Sequence, residues 1–198
     1  MMASLVKYDT TEEYFRVQVR ANRRKYARIS TPQEEVDAIA VWLRNNRPNA
    51  STGLCHGARN GWEIDAFATA TGHDVRGTDI APVEHPRMIQ WDFHHPRIEW
   101  HGKIDWIYSN AIDHAWCPRV ALFTWFETVA AEGVLFLPWH KGKLKGRRTD
   151  PFAVSLDEYR VMIEEFGVLT DGFNVITASG YKVVMLVGRR KDDVPLAR

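Results

Sequence analysis

The sequence predicts a doubly wound α/β domain: a mostly parallel seven-stranded sheet, antiparallel at its last strand, with helices on both faces and an N-terminal helical extension. Three observations predict it. From residue 49 onward, short apolar runs alternate with helical stretches, the pattern of parallel strands joined by crossover helices. A glycine-bearing turn, Gly57 to Gly61, follows the first of these runs, where such folds bring backbone close to a ligand. The chain closes on Phe173–Thr177 and Tyr181–Val187 around Ala178-Ser179-Gly180, two strands joined by a tight turn.

The elements follow in order. Residues from about Thr10 to Ile29 read as a basic, surface-lying helix with Thr10 or Thr11 as N-cap. Ser30-Thr31-Pro32-Gln33-Glu34-Glu35 starts a second helix, with Val36, Ile39, Ala40 and Leu43 at helical spacing and Pro48 past its end. Strands are expected at Thr52–Cys55, Asp74–Thr78, Arg87–Trp91, Ile104–Tyr108 and Val134–Leu137. Helices are expected at Trp62–Thr71, closed by Gly72, at Pro118–Glu132, closed by Gly133, and at Ser155–Phe166, capped by Ser155. This divides the chain into an extension (1–48), the α/β domain (49–190) and a polar tail (191–198).

With 198 residues the chain fits one domain with trimmings. Its composition, 45% hydrophobic and 26% charged, is that of a soluble globular protein, and no run approaches the eighteen apolar residues of a membrane span. MMASLVKYDTTEEYF has no apolar signal core, so a cytoplasmic location is expected. Cys55 and Cys117 lack C-x-x-C spacing and read as reduced thiols, and the eight histidines show no H-E-x-x-H, so no metal is expected. The net charge of +1 hides two basic clusters: Arg16, Arg20, Arg23, Arg24, Lys25 and Arg28, then Lys141, Lys143, Lys145, Arg147 and Arg148. Either is a solvated surface or a partner site for phosphates.

Leu54-Cys55-His56-Gly57-Ala58-Arg59-Asn60-Gly61-Trp62-Glu63 keeps two of the three glycines of a G-x-G-x-x-G turn, and by itself also fits an ordinary strand-to-helix turn. Asp79 ends the second strand, where a carboxylate accepts from ribose hydroxyls, and Asp92 follows the third, suited to an adenine amino group. With Asp105-Trp106-Ile107-Tyr108-Ser109-Asn110, this series resembles the successive motifs of class I S-adenosylmethionine-dependent methyltransferases over roughly residues 50 to 190. The resemblance implies a Rossmann-like fold and S-adenosyl-L-methionine as cofactor. Gly57 and Gly61 would wrap its methionine part, Asp79 would hold its ribose and Asp92 its adenine, with Ala58, Ile80 and Phe93 as further cofactor-binding candidates. Ser109 to His114, including Asn110, would face the methyl group. Arg59 is a candidate for the cofactor carboxylate or a solvent-facing arginine; Glu63 is a candidate for its ammonium or a helix-start acid.

Methyl transfer needs alignment and, where the acceptor carries a proton, a base. His114, following Asp113, is the candidate base, with His140 a second choice at the same edge; a loop-packing role is the alternative for both. His94 and His95 read as a polar loop, and Trp139 as an acceptor-pocket wall or a structural tryptophan. The first expectation is a methyltransferase acting on a small molecule, sugar or phosphorylated acceptor. The others are a nucleic-acid methyltransferase using the basic clusters, against which the missing Asn/Asp-Pro-Pro-Tyr motif argues, and an inactive binding module on the same scaffold. A nicotinamide dehydrogenase fits the fold alone, while the missing glycine and the Asp92 and Asn110 positions argue against it.

Overall fold

The computed structural model describes residues 3–140 and 145–191. Strand β1 (Ser4–Leu5) precedes helix α1 (Thr11–Arg24), which starts on Thr10: its hydroxyl accepts from the Glu13 amide at 3.1 Å, satisfying one orphan donor of the first turn. The helix stops five residues short of Ile29. Beyond it the carbonyls of Tyr26 and Arg28 are taken by the side chains of Asn60 and Arg59, and a carbonyl held from outside no longer serves a helix.

Helix α2 (Gln33–Asn46) turns Val36, Ile39 and Leu43 inward. Then come β2 (Thr52–His56), α3 (Trp62–Thr71), β3 (Asp74–Asp79), β4 (Met88–Gln90), β5 (Ile104–Tyr108), α4 (Pro118–Thr128), β6 (Val129–His140), β7 (Phe152–Ala153), α5 (Leu156–Glu164), β8 (Gly167–Ile176) and β9 (Lys182–Arg190). Seven strands form one sheet in the order β4-β3-β2-β5-β6-β9-β8. The first four joins are parallel and the last two, β6 with β9 and β9 with β8, antiparallel. β1 pairs with β7 in a separate two-stranded sheet, which the sequence reading lacked.

Both sheet faces are buried, and alternate residues go to opposite sides as the two-residue period requires. Leu54, Ile107 and Leu135 pack with Leu122, Trp125 and Phe126 of α4 and Ile163 of α5. Their neighbours Cys55, Tyr108 and Phe136 pack with Ile39 and Leu43 of α2 and Ile64 and Phe67 of α3. Each such fully buried side chain contributes about 1.5–3 kcal/mol of burial energy. Asp105 locks the start of the sheet, its Oδ2 accepting from the amides of Ser51 and Thr52 and the Thr52 hydroxyl at 2.8–2.9 Å.

One boundary differs for a clear reason. The helix expected to reach Glu132 ends at Thr128, because Val129 already pairs with Ile104 and the strand bulges before Val134 meets Trp106. Glu132 takes a left-handed φ of 62° in the bulge, and a Cβ on Gly133 would come within 2.9 Å of the Asp105 carbonyl oxygen. Gly133 permits the close strand approach; it does not cap a helix.

Candidate active site

The chain leaves β2 and β5, adjacent in the sheet, toward opposite edges, and such a switch point leaves a crevice beyond the strand ends. Gly57 (φ 73°) makes the turn after β2; its amide and that of Ala58 donate to the Thr78 carbonyl at 2.8 and 3.0 Å. A Cβ there would lie 2.4 Å from that of Ala111, so glycine lets the loops after β2 and β5 meet. Gly61 (φ 85°) caps α3 in a conformation costly for any other residue.

Above these loops runs a narrow trough. Gly57, Arg59, Asp79, Ile80, Asp92, Phe93 and His114 line it from the sheet side, and Tyr14, Gln18 and Asn22 of α1 cover it. The Asp79 carboxylate accepts from the amides of Arg59 (2.9 Å) and Ala81 (2.8 Å) and from the Asn22 side-chain amide (2.8 Å). Burial holds its carboxyl above the ordinary value against the pull of the two backbone amides. Asp92 Oδ1 accepts from the His94 amide (3.0 Å) and ring Nδ1 (2.6 Å). Burial pushes Asp92 up, but the hydrogen bonds from His94 outweigh it and leave the carboxyl below its usual range.

A polar space joins the trough at Lys25, Arg59 and His114 and is bounded further by Asn110, Asp113 and His140. The Arg59 guanidinium is tied to the Arg28 carbonyl (2.9 Å) and the Ser30 hydroxyl (3.0 Å), neither of which neutralises its charge. His114 Nδ1 donates to the Thr149 carbonyl at 2.7 Å, and its Nε2 lies 3.7 Å from Asp113 Oδ1. Asp113, His114 and Asp150 bring ligand-type atoms within 4.8 Å of one another, the one such grouping among the described residues.

Ala58, Gly61 and Glu63 stay outside both spaces. Glu63 joins a buried network in which Thr31 meets Glu63 (3.0 Å), Tyr108 (3.1 Å) and the Asn110 amide (2.8 Å), and Tyr108 donates to Glu35 (3.0 Å). With one proton on each hydroxyl, the chain from Glu63 to Glu35 is complete only when one carboxyl keeps its own. Burial raises both, Glu35 to about 7. His56, stacked on Trp125, is pushed down to about 3 by burial and stays neutral.

Two contributions were missed. Tyr14, Gln18, Ala21 and Lys25 fall on one stripe of α1 and line the trough, a helical spacing visible in sequence but masked by the arginines; Arg16, Arg20, Arg23, Arg24 and Arg28 are exposed. His94, 2% exposed, orients Asp92 while its Nε2 accepts from the Cys117 amide. In the second basic cluster Arg148 pairs with Glu13, Lys145 and Arg147 are exposed, and Lys141 and Lys143 lie outside the described residues.

No family model and no curated protein matches the sequence. Solved structures do match. The 1,6-didemethyltoxoflavin-N1-methyltransferase of Burkholderia thailandensis, with bound 1,6-didemethyltoxoflavin and S-adenosylhomocysteine, aligns over 95% of this chain and 94% of its own, at 14% identity and a TM-score of 0.70. The magnesium protoporphyrin IX methyltransferase of Synechocystis PCC 6803, with bound SAM, aligns over 93% and 100% at 14% identity and 0.64. The N-methyltransferase NodS of Bradyrhizobium japonicum WM9, in complex with S-adenosylhomocysteine, aligns over 88% and 98% at 12% identity and 0.61. The chain has the fold of the class I S-adenosylmethionine-dependent methyltransferases.

Proposed function

We propose that this protein is an S-adenosylmethionine-dependent methyltransferase acting on a small-molecule acceptor. The observation that carries the proposal is a pair of carboxylates on neighbouring strand ends, Asp79 and Asp92, lining one trough over the Gly57 turn. Asp79 suits ribose hydroxyls, Asp92 an exocyclic amino group, and Ile80 and Phe93 supply apolar surface for a base. Lys25, Arg28 and Arg59 surround the adjoining polar space, where a carboxylate end would lie. The cofactor, when bound, supplies a methyl group on a positively charged sulfur. His114 would act as base: with Nδ1–H given to Thr149, its Nε2 lone pair would take the acceptor's proton, and Asp113 would stabilise the resulting charge.

Calorimetric titration with S-adenosylmethionine and S-adenosylhomocysteine tests the reading. One-to-one binding is expected, weakened about 100-fold or more in Asp79→Ala, since two hydrogen bonds to a charged group are lost. A parent protein that binds neither compound, or an alanine variant that binds as well as the parent, ends the proposal.

A further inference from the structure

Next to the polar space lies a second, mostly apolar cleft between the loop after β5, the end of β6 and β7. Its walls include Ile112, Pro138, Trp139, Phe152 and Val154, and it shares Asn110, Asp113 and His140 with the space that His114 faces. The walls are held in place. Trp139 Nε1 donates to the Val154 carbonyl at 3.1 Å, and Phe152 is fixed by the pairing of β7 with β1. Tyr159 of α5 also lines the cleft. It is 1% exposed, and its hydroxyl has no hydrogen-bond partner among the described residues. Such a group is rare in a folded protein and is relieved by a ligand atom that bonds to it. The lining carries the Asp113 carboxylate and, among the described residues, no lysine or arginine.

The structure assigns this cleft as the acceptor subsite for a planar aromatic or heteroaromatic compound, with one polar atom bonded to the Tyr159 hydroxyl and an O–H or N–H group at the shared mouth. The assignment rests on the methyltransferase reading only for what occupies the neighbouring trough. Flat rings gain most from aromatic walls, and the mouth puts the nucleophile beside His114 and Asp113. There its lone pair forms the new bond to the methyl carbon as the carbon–sulfur bond breaks, and its proton passes to His114.

The test uses the full-length protein saturated with S-adenosylhomocysteine and 2-naphthol as probe, with cyclohexanol and glucose 6-phosphate as comparisons. Saturable binding of 2-naphthol alone is expected, with nuclear Overhauser contacts from its ring protons to the Trp139 indole. Tyr159→Phe should weaken it about 10-fold, the loss of one hydrogen bond, and leave S-adenosylhomocysteine affinity unchanged. Stronger binding of glucose 6-phosphate or cyclohexanol, no binding of 2-naphthol, or binding without contact to Trp139 overturns the assignment while leaving the cofactor reading standing. If S-adenosylhomocysteine itself does not bind, the cofactor reading fails, and the contacts of 2-naphthol to Trp139 still decide whether the cleft takes aromatic compounds.

Discussion

Glu35 is the residue whose chemistry departs furthest from what its place in the sequence suggests. As an acid near a helix start it reads as a dipole partner, yet it has no exposed surface. Oε2 accepts from Tyr108, while Oε1 accepts no hydrogen bond among the described residues and lies 4.0 Å from His140 Nε2. Burial lifts the carboxyl to about 7; Tyr108 opposes the rise, and the charges of Glu34 and Glu63 add to it. Between the unfolded value near 4.5 and about 7 the folded protein therefore keeps a proton that the unfolded chain has released. Stability contributed by this group is present in full below pH 4.5 and is lost as pH rises to 7, by about 3 kcal/mol in all. Glu35→Gln, which cannot ionise, should flatten the stability curve across that window and be the more stable form at pH 8. Urea unfolding at pH 5, 6, 7 and 8 measures this, and an unchanged slope in the variant would refute it. Burial is also what sequence conceals at this scale. Asp79 and Asp92 are legible because strand ends place them, whereas His94 becomes an orienting residue only through contacts with Asp92 and Cys117 that a polar-looking loop does not announce.

At the scale of elements, α1 is where the expected and observed structures part most usefully. A basic helix reads as surface, and its outer face is; its inner stripe covers the trough, and Asn22 bonds to the Asp79 oxygen that a ribose hydroxyl would also seek. The helix is otherwise held by Tyr14, buried against Tyr8, His94 and Trp116, and by a few polar contacts, Glu13 with Arg148 and Gln18 with Tyr8 and the Thr149 carbonyl. Local opening is cheap where such ties are few. Asn22→Ala should therefore speed amide exchange in α1 about 10-fold, the loss of one hydrogen bond to a charged group, without changing exchange in β2 or β5. S-adenosylhomocysteine should slow α1 exchange in the parent protein; identical α1 rates in parent and variant would show that the Asn22 contact does not hold the helix. Elements with long periodic patterns, α2 and α3 among them, were legible to within a residue or two. β6 was not, because Val129-Ala130-Ala131 has no local signal for strand and takes that form through pairing with β5. β1 and β7, two residues each, are too short to carry a period.

For the whole molecule, the sheet order follows from features that sequence does carry: apolar runs buried on both faces, crossover helices between them and a terminal hairpin. What it could not carry is that α1 and α2, assigned to an extension, meet the rest so closely. α2 shares its buried cluster with β2, β5 and β6, and α1 lies across the trough. Cofactor binding should then register in the stability of the entire chain. A ligand bound only by the folded state at one hundred times its Kd adds about 2.7 kcal/mol, and for a domain of this size each kcal/mol moves the midpoint by about 2–4 °C. S-adenosylhomocysteine should accordingly raise the Tm by about 5–10 °C in a single transition, and Asp79→Ala should abolish the rise at the same concentration. Two transitions, only the first of them moved by the ligand, would mean that the helices over the trough unfold apart from the sheet beneath them.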